Sequence, residues 1–263
     1  MKQLKVKLEK LYNQYNRRKY VHPDPLEFLY KYDNLDDREI VALIASSLAY
    51  GRVAQILKSV TLVLEKMQPG PNEFLQKNSY KKITKIYKGF RHRFSDQKEL
   101  SALLYGIKQI KKKYGSLHTC FIKNLNKNDK NLLPALTLFV EELTTIAGES
   151  PGHLIPLPEK GSACKRLFLF LRWMVRNDSV DPGGWSEASP DKLIIPLDTH
   201  MYNIGYTLGF TKRKQANMLA AKEITDSFKK INAKDPVKYD FALTRLGIRD
   251  DTDMDSFLKG CHL

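Results

Sequence analysis

Apolar residues recur at helical spacing along almost the whole chain, and this periodicity constrains the fold more than any other feature. Residues 36–49, 100–110 and 132–143 each place their apolar side chains on one face of a helix. Only residues 192–197, Lys-Leu-Ile-Ile-Pro-Leu, have the pattern of a buried extended segment. We therefore predict an all-α fold with few strands.

Proline and glycine mark several expected helix ends. Asp235 followed by Pro236 is typical of an N-cap and a first helical turn, which predicts that a helix begins there. Gly209 and Gly247 stand where left-handed C-terminal caps are expected. These positions divide the apolar periodicity into separate helices.

The length of 263 residues is compatible with one compact unit or with two fused helical lobes. We predict a single unit whose two lobes share a cleft. A segment rich in proline and glycine, about residues 148–158, is the expected crossing between them. The lobes then comprise about residues 36–160 and 161–263, with residues 1–35 packing on the second.

The balance of charge favours a polyanionic partner. The chain has 44 lysines and arginines against 29 acidic residues, a formal net charge of +15. Nucleic acid is the commonest partner of such proteins, because neutralised phosphates release their counterions. A charge excess also occurs in proteins that merely stay soluble, so charge alone leaves both interpretations open.

Cysteine content and hydropathy limit the class of protein. Cys120, Cys164 and Cys261 are far apart and odd in number, which excludes a disulfide framework or a four-cysteine metal site within one chain. No apolar run approaches the roughly 20 residues of a membrane span. The first ten residues lack the apolar stretch of a secretory signal. We expect a cytoplasmic, nucleoid-associated protein with no metal, cofactor or membrane contact.

Residues 164–175 are apolar nearly all round, which predicts a helix buried at the centre of the molecule. Its few charges are unusual. Lys165, Arg172 and Arg176 are offset by seven and eleven positions, so they lie on one line along the helix. Partial burial and neighbouring cations disfavour a charged lysine, and a neutral amine is a nucleophile. The alternative is that these side chains reach solvent or meet buried carboxylates.

Asp198 stands where the extended apolar segment ends and the next helix begins. This position predicts an N-cap, in which the carboxylate accepts hydrogen bonds from free backbone amides and is favoured by the helix dipole. Capping alone would explain an aspartate here. The same carboxylate, set against a nucleophilic amine, can take its proton or stabilise a positive charge on a sugar ring.

Both segments resemble a known superfamily. Residues 195–201, Ile-Pro-Leu-Asp-Thr-His-Met, resemble the aspartate motif of helix-hairpin-helix (HhH-GPD) DNA glycosylases, in which an Asp-Thr-His or similar triplet opens a helix. Residues 165–174, Lys-Arg-Leu-Phe-Leu-Phe-Leu-Arg-Trp-Met, resemble the lysine helix of the archaeal GO glycosylases, which act on oxidised guanine and cleave the abasic strand. Asp198 follows Lys165 by 33 residues, a separation similar to that of the archaeal branch.

Other segments follow the superfamily in the same order. Residues 37–50 resemble the early helix that lines the base pocket, residues 90–98 the turn toward the middle helices, and residues 237–247 the late helix that closes the second lobe. The resemblance covers about residues 24–248, although only the Asp198 segment is specific. The whole sequence also resembles an uncharacterised family of bacterial proteins.

The chain departs from the superfamily pattern at the hairpin. Residues 157–161, Leu-Pro-Glu-Lys-Gly, stand where the superfamily has Leu-Pro-Gly-Val-Gly, and keep only the last glycine. In a strict alignment with endonuclease III the lysine position falls on Ala163, so the role of Lys165 rests on the archaeal match. The four-cysteine cluster of endonuclease III is absent, as the cysteine count requires.

The resemblance implies a monomeric, helix-hairpin-helix type DNA-repair glycosylase that needs no cofactor and excises a damaged base, such as an oxidised purine, with associated lyase activity. Lys165 and Asp198 would form its catalytic pair. It further implies DNA contacts and a base pocket. The predicted DNA contacts are Gly161, Ser162, Thr199, His200, Arg91, Arg93 and Lys98, and the predicted pocket residues are Tyr50, Arg172, Trp173 and Trp185.

Two other functions fit the sequence. One is a non-catalytic module that recognises nucleic-acid structure with the same fold and positive charge. The other is a basic helical protein that binds a protein partner, for which DNA affinity would be weak and indifferent to lesions. Salt titration separates them, since binding dominated by phosphates falls steeply with ionic strength.

Overall fold

The computed structural model describes residues 2–246 and Phe257. These residues are mostly helical, as the periodicity predicts. The strands in this part of the chain, β1 (Arg91–His92) and β2 (Ser95–Asp96), form a short antiparallel hairpin. The helices are α1 (Lys2–Tyr15), α2 (Leu35–Ser47), α3 (Val53–Glu65), α4 (Pro71–Lys77), α5 (Tyr80–Ile86), α6 (Gln97–Tyr114), α7 (Leu117–Ile122), α8 (Leu133–Ala147), α9 (Lys165–Val175), α10 (Thr199–Thr207), α11 (Met218–Ile231) and α12 (Asp240–Leu246), with 3-10 turns at Arg18–Tyr20, Pro25–Lys31, Gly152–Leu154, Pro158–Lys160 and Pro190–Lys192.

The three periodic segments form helices α2, α6 and α8, and the segment that is apolar nearly all round forms α9. Side chains at their ends explain where two of them begin. The Asn34 side chain accepts a hydrogen bond from the Asp36 amide and caps α2, and the Asp96 carboxylate accepts from the first free amides of α6. Gly115 ends α6 with a φ of +85°, a conformation that L side chains rarely adopt.

Helices α6 and α8 pack against each other more extensively than any other pair in the described chain. Gly106 makes this approach possible. A Cβ atom at Gly106 would lie 2.9 Å from the backbone oxygen of Leu143. Because a real Cβ does not tolerate that separation from backbone, a larger residue would push the two helices apart.

Helices α2 and α9 lie side by side at the centre of the molecule. Residues 39–47 of α2 are all buried, and so are eight residues of α9. Buried apolar side chains from the described helices form one continuous core around this pair. The prediction that residues 164–175 form a central helix is confirmed.

The first helix packs on the last described one. Lys238 and Tyr239, just before α12, both contact the Glu9 carboxylate of α1, and the Tyr12 hydroxyl donates to Asp178 at 3.0 Å. The predicted boundary at residue 160 falls in the 3-10 turn between α8 and α9. The division into two lobes itself stays a prediction.

The secondary structure differs from the prediction in three places. Residues 192–197 form no strand among the described residues, because Pro196 lacks an amide hydrogen and the Ile195 amide donates to the Thr225 side chain instead of a neighbouring strand. No helix begins at Pro236: Asp235 accepts from the Val237 amide at 3.2 Å and also pairs with Arg176, but residues 236–239 form only a turn and α12 begins at Asp240. The β1–β2 hairpin was not predicted, since two-residue strands carry no periodicity.

The predicted glycine caps have different outcomes. Gly209 adopts a φ of +69° just after α10, which confirms its left-handed conformation. Gly247 lies outside the described residues. Within those residues, every helix is too short or too polar to cross a membrane.

Candidate active site

Lys165 is the first residue of α9 and projects from its amino-terminal end. Cys164 immediately before it adopts a left-handed conformation with a φ of +46°, which turns the chain sharply into the helix. The rest of α9 is fixed by burial, so the position of Lys165 is set by a rigid element. Its side chain is 34% exposed, whereas the remaining polar residues of the stripe are buried.

Asp198 caps α10, as the sequence predicts. One carboxylate oxygen, Oδ1, accepts a hydrogen bond of 2.8 Å from the Met201 amide. The other, Oδ2, lies 3.6 Å from the Lys165 amine. The preceding residues 193–197 are buried and hold the carboxylate in place. The cap therefore uses one oxygen and leaves the second directed at the amine.

The amine and the carboxylate line the same open pocket of about 330 Å³. It lies between the carboxyl end of α2, the start of α3, α9, the start of α10, and α12. Its volume falls in the range of small-ligand sites. The lining residues are Pro23, Asp24, Pro25, Ala49, Gly51, Val53, Ile56, Lys165, Leu169, Arg172, Pro196, Asp198, His200, Asp240, Thr244 and Arg245.

The inner wall of this pocket carries two buried arginines, each paired with carboxylates. Arg172 donates to Asp240 at 2.5 Å and also pairs with Asp181 at 3.1 Å. Arg245 donates to Asp24 at 2.7 Å. Burial raises the pKa of Asp240 to about 6, although Arg172 opposes the rise. A strongly polar wall therefore faces Lys165 and Asp198.

The predicted stripe on α9 exists, but carboxylates neutralise its arginines. Arg172 and Arg176 are each 3% exposed. Arg176 pairs with Asp178, Asp235 and Asp181. The expectation that these cations would crowd Lys165 is therefore not supported, because each guanidinium is already paired. The sequence alternative, that the stripe meets buried carboxylates, holds for both arginines.

The aromatic residues predicted for a base pocket do not line this one. Trp173 and Trp185 are completely buried in the core, and the Trp185 ring packs edge-to-face on Phe170 with centroids 5.0 Å apart. A helix turns by about 100° per residue, so Trp173 points away from the face on which Arg172 lies. These two tryptophans are corrected to core residues.

Tyr50 lies next to the pocket without lining it. Its hydroxyl donates to the His92 backbone oxygen at 3.0 Å and lies 2.9 Å from the Ser95 hydroxyl. The Arg166 guanidinium covers its ring at 4.6 Å. Tyr50 thus connects the end of α2 with the β1–β2 hairpin. Of the four residues predicted for the base pocket, only Arg172 lines it.

The residues predicted to contact DNA are all exposed and fall in two groups. Gly161 and Ser162 precede α9, and Thr199 and His200 open α10. His200 also lines the pocket. Gly161 has a φ of +74°, and the space where a side chain would stand is open. A ligand could therefore approach the backbone closely at this position.

The second group surrounds the β1–β2 hairpin. Arg91, Arg93 and Lys98 are all exposed. The Arg93 side chain lies against Gly51, because a Cβ at Gly51 would be 2.7 Å from Arg93 Cδ. Gly51 lines the pocket, so Arg93 stands at its rim.

The sequence did not single out Asp24, Asp240 or Arg245. The available signal was a carboxylate and a guanidinium inside the apolar segment that forms α12. A charged residue in an apolar segment is also the signal that identified Lys165. Asp24, between two prolines, looked like an ordinary turn residue.

A family model described as "protein of unknown function (DUF2400)" covers residues 24–249. No curated protein and no solved structure matches the chain.

Proposed function

The chain belongs to the DUF2400 family, whose description assigns no function, and we propose from the site itself that it is a DNA glycosylase of helix-hairpin-helix type with associated lyase activity. The damaged base would be rotated out of the duplex into the pocket, at an unstacking cost of a few kcal/mol. Lys165 and Asp198 would then act on its sugar.

One observation carries the proposal: the Lys165 amine and the second oxygen of Asp198 lie 3.6 Å apart in an open pocket, although they are remote in sequence. This is the arrangement of a nucleophile beside its base. In the protein as it stands the pair is an ion pair, so a proton must leave the ammonium before attack. The carboxylate is the nearest acceptor for that proton.

The proposed reaction balances without a cofactor. The neutral Lys165 amine attacks C1′ of the deoxyribose, the bond from C1′ to the base breaks, and the base leaves with the bonding pair and with the proton that Asp198 took from the ammonium. As this proton leaves, the Asp198 carboxylate becomes negative again and stabilises the positive charge on the sugar. One amine proton then passes to the ring oxygen O4′ as the ring opens, which gives an iminium between Lys165 and C1′. Transfer of a C2′ proton to the Asp198 carboxylate expels the 3′ phosphate and cleaves the strand, and water hydrolyses the remaining imine to free Lys165.

The surroundings of the pocket fit a polyanion. The formal net charge of +15 favours phosphate, and helix N-termini without a side-chain cap, such as that of α9, attract anions. Arg93 and His200 flank the opening. These features support DNA as the ligand, and a non-catalytic binding module would share them. The chemistry of Lys165 is what separates the two functions.

Borohydride trapping tests the proposal. Incubation with duplexes containing an abasic site or oxidised guanine should give a covalent adduct with the unmodified protein, because borohydride reduces the iminium. Lys165→Arg is the matched variant, since it keeps the positive charge beside Asp198 but supplies no nucleophilic amine. Loss of the adduct with retained DNA binding supports the proposal. Absence of an adduct from the unmodified protein, with lesion-dependent binding, would establish the non-catalytic module instead.

A further inference from the structure

The inner wall of the pocket has a buried acceptor with no partner. Asp240 is 1% exposed, and its Oδ2 accepts from Arg172. The other oxygen, Oδ1, has no hydrogen-bond partner among the described residues. Most buried polar atoms in proteins are hydrogen-bonded, because an unpaired one costs about 1–3 kcal/mol. An unpaired carboxylate oxygen on a residue that lines a pocket therefore points to a ligand that donates.

Arg245 adds a buried donor on the same wall. Its Nη2 pairs with Asp24, and its Nη1 donates to backbone oxygens of the segment before the Pro25–Lys31 turn. Its Nε, also buried, has no partner among the described residues. Asp240 and Arg245 both belong to α12 and both line the pocket. The wall thus offers one free acceptor and one free donor.

Stacking contributes little to recognition in this pocket. Among the described residues, no phenylalanine, tyrosine or tryptophan lines it, and the imidazole of His200 is the only flat ring. A planar ligand would therefore be selected by hydrogen bonds along its edge. Sites built in this way reject analogues that lack the matching group much more strongly than apolar pockets do.

We propose that Asp240 is a specificity-determining residue, whose free oxygen accepts a hydrogen bond from a ring N–H on the edge of the extruded base. This inference rests on the proposed function. A guanine-type edge presents a ring N–H and an amino group, which suit a carboxylate, and a carbonyl, which suits Arg245. The Watson–Crick edge of an adenine-type base, including 8-oxoadenine, presents an unprotonated ring nitrogen at N1, whose lone pair would oppose that of Asp240.

Binding without catalysis tests this assignment. All proteins carry Lys165→Ala, so no reaction proceeds, and affinity is measured by fluorescence anisotropy for duplexes containing 8-oxoguanine or 8-oxoadenine. We expect the first duplex to bind at least ten-fold more tightly when Asp240 is present. If the protein that retains Asp240 binds the two duplexes with nearly equal affinity, that result alone overturns the assignment.

The matched variants are Asp240→Asn and Asp181→Asn. Both remove a carboxylate from Arg172, but Asp181 does not line the pocket. Asp240→Asn should bring the ratio to one or below, because its amide can donate to the adenine-type edge. Asp181→Asn should leave the ratio unchanged. An equal effect of both variants, each checked for folding by thermal melting, would mean that Arg172 is responsible and would overturn the assignment.

The proposed function can fail separately. A preserved ratio with no trapped adduct would leave Asp240 as the residue that selects the base in a binding protein. An adduct with a ratio of one would leave the lyase chemistry without this selectivity.

Discussion

One oxygen of the Asp198 carboxylate caps a helix and the other faces Lys165: Oδ1 accepts from the Met201 amide at 2.8 Å, and Oδ2 lies 3.6 Å from the amine of Lys165. A helix cap and an amine partner are therefore combined in one carboxylate. Substitutions that keep one role and remove the other can separate them.

Asp198→Asn should keep the cap and abolish cleavage. Asparagine caps helices as well as aspartate does, so melting temperature should stay close to that of the unmodified protein. Loss of the negative charge should lower the single-turnover rate by about 10²- to 10⁴-fold, the usual contribution of a general base. Asp198→Ala should in addition lose about 1 kcal/mol of stability. Unchanged cleavage by Asp198→Asn would leave this residue as a cap alone.

Arg176→Met should destabilise the fold strongly. The guanidinium is buried among Asp178, Asp181 and Asp235, and its removal would leave carboxylates without their cation. Breaking a buried ion pair in this way costs about 3–5 kcal/mol. Urea unfolding measures the difference. Arg17→Met, at an exposed position, is the control and should change stability little.

The sequence was sufficient to single out both Lys165 and Asp198, because the signal for each residue is local. A lysine at the start of an apolar helix and an aspartate between an extended segment and a helix depend on neighbours within one turn. Periodicity likewise placed α2, α6 and α8 to within a few residues, and a continuous apolar segment placed α9. The resemblance to glycosylases supplied their proposed role.

The rest of the pocket depends on the tertiary fold. One wall of the pocket combines Asp24 with Asp240 and Arg245 of α12, which lie more than 200 residues later in the chain. No local pattern predicts that these segments meet. The prediction of Trp173 and Trp185 was wrong for the same reason. Aromatic residues beside a site suggest stacking, but the rotation of α9 turns Trp173 away from the pocket, and Trp185, in the loop after α9, packs on Phe170 in the core.

Gly106→Ala should reduce stability by about 1–3 kcal/mol, the usual cost of an overpacked contact. The added methyl group would stand 2.9 Å from the Leu143 backbone oxygen, so α6 and α8 would have to separate. Lys112→Ala, at an exposed position of α6, is the matched control and should not destabilise. Equal stability of Gly106→Ala and the unmodified protein, by urea unfolding, would contradict the close packing.

Selectivity for the guanine-type edge should weaken as pH falls through about 6. Burial raises the pKa of Asp240 to about that value, and Arg172 opposes the rise while Asp198 and Asp181 add to it. Above this pH the carboxylate accepts. Below it, the proton binds the free oxygen, since Arg172 holds the other, and the group becomes a donor. In the Lys165→Ala background, the 8-oxoguanine to 8-oxoadenine affinity ratio should therefore decline between pH 7.5 and 5, whereas Asp240→Asn should show no such decline.

Phosphate contacts at the pocket rim should appear in the salt dependence of DNA binding. The logarithm of affinity falls linearly with the logarithm of salt concentration, with a slope close to the number of neutralised phosphates. Arg93 is exposed and lies against Gly51 of the pocket, so Arg93→Ala should reduce the magnitude of this slope by about 1 and weaken binding to all sequences alike. Lys82→Ala removes an exposed cation of α5 that does not line the pocket, and should leave the slope unchanged. Equal slopes for all three proteins would exclude Arg93 from the interface, because loss of a phosphate contact lowers the number of counterions released on binding and so reduces the slope.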